Sequence, residues 1–258
     1  ALALCTLWAG SPVWTWWASR PVPRCAGPAL GAADLRYLQL VARDTWRYFE
    51  RTVTALDQHL PPDNLQTTPQ DMLAHRTSPT NIGLYLLSAA CAQRFGWIGV
   101  PELATRLEAT LDTVDRLETH HGHLLNWYDT LTGAALLPRY VSTVDSGNLS
   151  GHLLAVAQAC TALAGGPGPE AEARRLQALA ARCARLAWQP DFRFLYHPRR
   201  HLLHIGYRVA EQTLDGSFYD LLASESRLTS LLAIAKGDLP VRHWAALGRP
   251  FFAAGAVA

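Results

Sequence analysis

Helical segments of two kinds alternate along this sequence, and the alternation restricts the folds that it can adopt. Segments of the first kind have one apolar face and one charged face, as surface helices do, and they cover 34–54, 101–119 and 169–188. Segments of the second kind look more buried, and they cover 79–94, 147–164 and 218–236. No βαβ rhythm competes with this pattern, although residues 195–196 and 202–207 could form a short hairpin.

An exposed helix followed by a buried one is the repeating unit of an α/α toroid, in which outer and inner helices pair as hairpins. Three such pairs make about half of a six-hairpin barrel. We therefore predict an all-α fold, a partial (α/α)6 toroid of about three helical hairpins, over residues 34–258. The chain begins without a methionine and stops soon after the last predicted helix, so we expect this domain to be truncated at its C-terminus.

The N-terminal segment 1–18 contains no charged side chain. Tryptophans lie toward its end and two arginines, Arg20 and Arg24, follow, which is the order expected where a membrane-spanning helix leaves the bilayer on the cytoplasmic side. We predict that 1–18 is the end of a transmembrane helix and that 19–33, rich in proline, glycine and alanine, is a linker. A buried hairpin bent at Pro12 is the alternative.

Charge and cysteine spacing argue against several classes of function. The formal net charge is +2 and no basic run is present, so the sequence does not predict a nucleic-acid-binding protein. The five cysteines form no C-x-x-C pair, and we interpret them as reduced packing residues. His121 and His123 have no third ligand nearby, so we predict hydrogen bonding for them, with no metal site and no cofactor.

Five loop segments combine polar and aromatic residues, and each precedes or begins a helix of the buried kind: 60–66, 74–81, 122–130, 140–148 and 215–227. In a toroid this placement brings them to one end of the barrel, around one cavity. Aromatic rings with a polar edge suit sugars, because the ring stacks on C–H groups while hydroxyl groups bond at the rim. Together the clusters favour a glycan site, although helix capping could explain single motifs.

The side chains predicted to contact the glycan come from these loops: Arg76, His123, Asn126, Trp127, Tyr128, Asp129, Asp145, Asn148, Tyr219 and Asp220. Trp127 and Tyr128 would offer stacking faces to the sugar. For Asp145 and Asp220 a helix N-cap is an open alternative, and Asn148 could instead fix a loop.

Glu225 is the candidate catalytic residue. It falls within the apolar stripe of the helix predicted over 218–236, between Leu221 and Leu228. A carboxylate on a buried face is costly unless it is paired or protonated, and a protonated carboxyl group suits a general acid. A salt bridge to Arg227 or to a neighbouring helix is the alternative.

Seven runs follow one another in this sequence: LPPDNLQ, AHRTSPTNIGLYLLS, FGWIG, GHLLNWYDT, YVSTVDSGNLSGHL, YDLLASESRL and AIAKGDLPVRHWAALGRP. In the same order they resemble the cyclic β-1,2-glucan synthase family. The N-terminal run LWAGSPVWTWWASRPVP resembles the end of that family's last membrane segment. The resemblance extends over almost the whole chain, and 165–189 is its least distinctive stretch.

The resemblance implies a segment of a large bacterial inner-membrane enzyme. A membrane-embedded glucosyltransferase region of that enzyme makes linear β-1,2-glucan, a glucoamylase-like domain cyclises it by transglycosylation with retention, and a phosphorylase-like region trims it. The present chain would be the cyclisation domain with its membrane lead-in, on the cytoplasmic side, and its partners would be the glucan, the membrane and the rest of the parent polypeptide.

The family's active-site glutamate in YDLLASE falls on Glu225. Retaining chemistry needs a second carboxylate, and the family's pattern continues past residue 258 with another acidic residue. No nucleophile is therefore assigned in this chain, and we expect the isolated segment to be inactive. Hydrolysis of β-1,2-glucan, a non-catalytic glycan-binding module and a membrane-anchored scaffold are the alternatives.

Overall fold

In the computed structural model the described residues are 2–19 and 30–249. The chain divides into two compact units, residues 1–44 and residues 45–258. The second unit carries all five of the polar loop clusters that the sequence analysis identifies.

The first unit contains helix α1 (Leu2–Ala18) and the beginning of helix α2 (Ala32–Thr52). Among the described residues, no helix is both long enough and apolar enough to cross a membrane. The transmembrane segment predicted over 1–18 therefore stays a prediction. Most of the linker predicted over 19–33 lies outside the described residues.

The second unit is built mainly from helices that pack in two layers. After the last part of α2 come α3 (Pro79–Arg94), α4 (Val100–Val114), α5 (Thr143–Ala164), α6 (Glu170–Trp188), α7 (Arg227–Lys236) and the short α8 (Arg242–Ala246). Helix α5 packs against both α3 and α7, while α4 packs against α3 and α6, and α6 against α5. This pairing of inner and outer helices confirms the predicted partial α/α toroid.

Local sequence explains where the inner helices begin. The side chain of Ser78 accepts a hydrogen bond from the backbone N–H of Asn81, and Pro79 occupies the first turn of α3, where its missing N–H costs nothing. Ser142 caps α5 in the same way, by accepting from the backbone N–H of Asp145. Helix α5 thus begins four residues earlier than predicted, and its cap is Ser142 rather than Asp145.

Charged residues hold the outer helices together. Arg175 of α6 forms an ion pair with Glu108 of α4, and Arg182 bridges Asp112 and Asp115. These pairs lie on faces that remain open to solvent, whereas the opposite faces of α4 and α6 contribute buried leucines to the core. Both segments are therefore surface helices with one buried face, as their amphipathic pattern predicts.

Short strands fill the loops between the helices: β1 (Leu65–Gln66), β2 (Met72–Leu73), β3 (Arg76–Thr77), β4 (Thr119–His120), β5 (His123–Leu124), β6 (Asn126–Asp129), β7 (Ala135–Ser142), β8 (Tyr196–His197), β9 (Leu202–His204), β10 (Gly206–Arg208), β11 (Thr213–Leu214) and β12 (Phe218–Tyr219). Five of them form an antiparallel sheet in the order β11-β10-β7-β6-β3, which the sequence analysis did not predict. The predicted hairpin is confirmed as β8–β9, and β12 extends it.

The last inner helix differs from its prediction. Helix α7 starts at Arg227, nine residues after the predicted start, because the preceding residues pair elsewhere. Strand β12 pairs with β9, and Leu221 forms a parallel bridge with Gly248. Partners distant in the sequence therefore override the local helical pattern between 218 and 226.

Candidate active site

The strands of the five-stranded sheet lead directly into the inner helices. Strand β3 is followed by the N-cap of α3, and β7 ends at Ser142, the N-cap of α5. Because β6 pairs with both β3 and β7, the clusters 74–81, 122–130 and 140–148 meet at this end of the inner layer. The structure thus gathers three of the predicted polar clusters in one place.

Arg76 lies over the ring of Trp127, with its guanidinium carbon 5.0 Å from the ring centroid. Asp63 holds the guanidinium in this position, since its Oδ2 accepts from Arg76 Nε at 3.1 Å and from Nη2 at 2.9 Å. The other carboxylate oxygen of Asp63 accepts from Asn81 Nδ2 at 3.2 Å, at the start of α3. One face of the predicted stacking residue Trp127 is therefore already in contact with a cation.

Asn126 is oriented by Asp145. Its Nδ2 donates to Asp145 Oδ2 at 3.0 Å, and a carboxylate can only accept, so the amide oxygen must face away from Asp145. That oxygen is buried and has no hydrogen-bond partner among residues 2–19 and 30–249. Asp145 itself lies in the first turn of α5, where the helix dipole favours a negative charge.

Tyr219 lies within the electrostatic influence of both Asp145 and the predicted catalytic residue Glu225. Burial, and then the negative charges of Glu225 and Asp145, raise the pKa of Tyr219 to about 12. The phenol therefore stays protonated at neutral pH and can act as a hydrogen-bond donor. We call Asp145, Tyr219 and Glu225 the Glu225 cluster.

Glu225 has a different setting from the one predicted. It precedes α7 rather than lying within it, and its side chain is exposed instead of facing a leucine stripe. Ser226, the next residue, is buried and begins the helix, and its hydroxyl lies 2.9 Å from that of Ser224. The carboxylate is therefore accessible to a substrate without movement of the helix.

A second tyrosine lies beside this cluster. Tyr140, at the end of β7, donates its O–H to Asp215 Oδ2, and Arg208 Nη2 lies 3.6 Å from the other oxygen of Asp215. Burial and the neighbouring Asp215 raise the pKa of Tyr140 well above its usual range. Gly206 permits the contact, because a side chain at that position would overlap the phenol of Tyr140.

A pocket of about 320 Å³ opens next to these residues, against the hairpin formed by β6 and β7. Its lining combines three polar and four largely apolar residues: Arg76, Asn126, Tyr140, Trp127, Leu136, Leu137 and Pro138. We call it the hairpin pocket. It lies within the size range of small-ligand sites, and three of its residues are among those predicted to bind the glycan.

Two of the predicted binding residues are buried in the core instead. His123 is fully buried, its Nδ1 lies 2.8 Å from Ser146 Oγ and its Nε2 lies 2.8 Å from the backbone oxygen of Asp191. Burial lowers the pKa of His123 to about 4, so the ring is neutral at pH 7. Tyr128 is also fully buried and donates to the backbone oxygen of Glu118. We correct both residues to structural roles, because neither has a surface that a sugar could reach.

Three further candidates are explained by local structure. Asp129 Oδ1 accepts from the backbone N–H groups of Leu131 and Thr132 and so closes the turn between β6 and β7. Asn148 donates to the hydroxyl of Thr80 and so connects α5 to α3. Asp220 is exposed and contributes its backbone oxygen to a bond with the N–H of Gly248.

The structure also identifies residues that the sequence analysis did not select: Asp63, Tyr140 and Asp215. All three occur inside polar clusters that the sequence analysis identifies, at 60–66, 140–148 and 215–227. Each of them, however, interacts with a residue that is distant in the sequence. Asp63 and Arg76 are 13 residues apart, and Tyr140 and Asp215 are 75 residues apart. Local sequence does not reveal such pairs. Within the described part of the chain, no group of three or more His, Cys, Asp or Glu residues could hold a metal ion.

Comparison with known proteins gives a consistent result. No protein-family model matches the chain. The chain is 36% identical, in an alignment 371 residues long, to cyclic β-(1,2)-glucan synthase NdvB of Rhizobium meliloti (strain 1021). The alignment covers 99% of this chain but only 13% of that protein. The sequence similarity predicted from the seven runs is thereby confirmed.

Solved structures resemble the fold. An endo-β-1,2-glucanase from Talaromyces funiculosus, in complex with sophorose, matches 83% of this chain and 50% of its own with a TM-score of 0.65 at 14% identity. An endo-β-1,2-glucanase from Chitinophaga pinensis, in complex with sophorotriose and glucose, matches 81% of this chain and 48% of its own with a TM-score of 0.61 at 18% identity. The chain thus spans about half the length of each glucanase, and at these identities the match concerns the fold.

Proposed function

We propose that this chain, whose sequence is related over 99% of its length to a segment of cyclic β-(1,2)-glucan synthase, is the part of such an enzyme that binds β-1,2-glucan and catalyses its transglycosylation. The observation that carries this proposal is the Glu225 cluster beside the hairpin pocket. An accessible carboxylate and a half-buried one both act on the pKa of Tyr219, and the pocket beside Asp145 carries aromatic, amide and guanidinium side chains. Such a combination suits a neutral polyhydroxyl ligand.

In the proposed reaction Glu225 is the general acid and then the general base. It would give a proton to the glycosidic oxygen as the bond between two glucose units breaks, and would take a proton from the attacking hydroxyl in the second step. In cyclisation the attacking hydroxyl belongs to the non-reducing end of the same glucan, so the product is a ring with retained anomeric configuration.

Retention requires a second carboxylate about 5–5.5 Å from the first, to act as the nucleophile. We assign no residue of this chain to that role. Asp145 is committed to orienting Asn126, and Asp215 to binding Tyr140 and Arg208. The isolated segment is therefore expected to bind glucan without turning it over.

Hydrolysis of β-1,2-glucan is the second candidate, and the exposure of Glu225 favours it. Water can reach an exposed carboxylate as easily as a sugar hydroxyl can. Both reactions use the same acid, and they differ only in which acceptor completes the second step. Linear products would indicate hydrolysis, and rings would indicate cyclisation.

The membrane remains a proposed partner. Helix α1 carries exposed tryptophans at positions 8, 14, 16 and 17, and the sequence of this helix contains no charged residue. Aromatic side chains of this kind favour the membrane–water interface. We propose that α1 connects the glucan-processing unit to a membrane-embedded part of the parent polypeptide, with the unit on the cytoplasmic side.

The test uses a full-length enzyme that contains this segment, incubated with linear β-1,2-glucan, and product analysis by mass spectrometry to distinguish rings from linear chains. Glu225→Gln should lower the rate of ring formation by about 10²–10⁴-fold. Glu211→Gln, which changes an exposed carboxylate on the turn between β10 and β11, is the matched control and should leave it unchanged. Ring formation at the full rate in Glu225→Gln would contradict the proposed mechanism.

A further inference from the structure

The polar side chains of the hairpin pocket share one feature: each is held by a carboxylate that does not itself line the pocket. The three pairs are Arg76 with Asp63, Asn126 with Asp145, and Tyr140 with Asp215. Supporting carboxylates of this kind fix the orientation of binding groups before a ligand arrives. The pocket is therefore preorganised rather than assembled by its ligand.

The same pairs determine what each side chain can offer to a ligand. Tyr140 donates its only hydrogen to Asp215, so its oxygen can only accept. The amide nitrogen of Asn126 is committed to Asp145, so its unpartnered oxygen also needs a donor. Arg76 is neutralised by Asp63 but keeps N–H groups that Asp63 does not use. Two acceptors beside a neutralised cation favour hydroxyl groups over an anion.

The remaining wall of the pocket is apolar. Leu136, Leu137 and Pro138 line it together with Trp127, and Leu137 is 81% exposed. Covering an exposed leucine with an apolar surface is favourable, because it removes apolar area from water. The C–H face of a pyranose ring is such a surface, and its hydroxyl groups would then point toward the polar wall.

We infer that the hairpin pocket is a subsite for one glucose unit of the glucan, in which Leu137 contacts the ring face and Tyr140 accepts a hydrogen bond from a hydroxyl group. This inference rests on the proposed function, which supplies the identity of the sugar. The subsite lies next to the Glu225 cluster, because Asn126 of the pocket is bonded to Asp145 of the cluster. A glucose unit bound there would lie beside Asn126, whose amide Asp145 holds in place.

The experiment measures binding of sophorotriose to the 258-residue chain by calorimetry. Tyr140→Phe removes the hydroxyl group and leaves Asp215 paired with Arg208, and Leu137→Asp replaces the apolar contact at an exposed position. Each variant should bind roughly tenfold more weakly, which corresponds to about one hydrogen bond or one apolar contact. Arg139→Ala is the control. Arg139 lies on β7 between Leu137 and Tyr140, but it forms an ion pair with Glu118 and does not line the pocket.

Thermal unfolding of each variant checks that the fold is intact, and the exposed position of Leu137 makes its substitution safe for folding. Equal affinities for Leu137→Asp, Tyr140→Phe and the unchanged chain would overturn the inference. Failure of the unchanged chain to bind any β-1,2-linked glucose oligomer would overturn it as well. The subsite and the mechanism can fail separately. Weaker binding in both variants would support the subsite, even if Glu225→Gln still formed rings at the full rate and so refuted the proposed mechanism.

Discussion

Gly147 of α5 lies so close to Thr229 of α7 that a side chain of one carbon at position 147 would overlap the threonine. The hydroxyl of Thr229 also donates to the backbone oxygen of Thr143, in the first turn of α5. The first turn of α5 carries Asp145, and the first turn of α7 directly follows Glu225. The close approach of these two inner helices therefore fixes the N-terminal ends of α5 and α7 against each other, near the residues of the Glu225 cluster.

The first prediction follows from this contact. Gly147→Ala should destabilise the chain by about 1–3 kcal/mol, because the added methyl group forces the two helices apart. Urea unfolding would measure the loss. Gly216→Ala is the control, since nothing lies within 4 Å of the position that its Cβ would take. A Gly147→Ala variant as stable as the unchanged chain would show that the helix contact is looser than the structure indicates.

The second prediction concerns the bond between Asn126 and Asp145. Asn126→Ala, Asp145→Ala and the double variant should be non-additive in their free energies of unfolding, with a coupling of about 0.5–3 kcal/mol, because the two side chains share one charge-assisted hydrogen bond. The exposed pair Arg139 and Glu118 is the control, and its coupling should stay below about 1 kcal/mol. Additive effects of the first pair would mean that Asp145 does not orient the amide.

The third prediction concerns pH. The pKa of His123 is about 4 in the folded chain, below its ordinary value of 6.5, because burial disfavours the charged ring. As the pH falls below about 6.5 the unfolded chain takes up the proton first. The stability that neutral His123 confers is therefore fully present above about pH 6.5. The free energy of unfolding then falls as the pH is lowered to about 4, by at most about 1.4 kcal/mol per pH unit. His123→Gln should flatten this loss in denaturation curves recorded between pH 7 and pH 4.5. An unchanged slope would show that other groups control the acid sensitivity.

The helical framework could be read from the sequence because its determinants are local. Ser78 and Pro79 mark the start of α3, and the apolar and charged faces of α4 and α6 follow the helical period. The start of α7 could not be read in this way. The residues before it resemble a helix, but Tyr219 pairs with Leu203 and Leu221 pairs with Gly248, and both partners are distant in the sequence.

The candidate site was predicted in part for the same reason. The clusters themselves are visible as polar and aromatic runs, so Asn126, Trp127 and Glu225 could be selected from composition and resemblance. Strand β7 could not be predicted, because half of its residues are exposed and its sequence shows no alternation of apolar and polar side chains. Without β7 there was no reason to connect Tyr140 with Asp215, and this connection orients the tyrosine that lines the hairpin pocket.

The fourth prediction concerns Trp127. Trp127→Ala should weaken the binding of β-1,2-linked glucose oligomers about two- to tenfold. The substitution removes an aromatic ring whose stacking contributes roughly 0.5–1.5 kcal/mol in addition to the burial of its apolar surface. Trp127→Phe should restore part of the loss, since a ring remains beneath Arg76. Trp188→Ala, which changes a partly exposed tryptophan at the end of α6, is the control for nonspecific effects. Binding that is insensitive to Trp127→Ala would remove this residue from the site.

The last prediction concerns Glu225→Gln in a full-length enzyme that contains this segment. General acid-base catalysis contributes on the order of 10²–10⁴-fold, so the rate of ring formation should fall by about that factor. Because the side chain is exposed and lies before α7, the substitution should change the free energy of unfolding by less than about 0.5 kcal/mol. A variant that unfolds would instead identify Glu225 as a structural partner, which was the alternative derived from the sequence.

A substrate with a good leaving group separates the two roles of Glu225. Such a substrate needs no proton for the first step, so it should restore bond breaking in Glu225→Gln far more than it restores the second step, in which a base must activate the attacking hydroxyl. A burst of released leaving group followed by slow turnover is the expected result. Equal rescue of both steps would mean that another residue serves as the base, and no rescue of either would mean that Glu225 does not supply the proton.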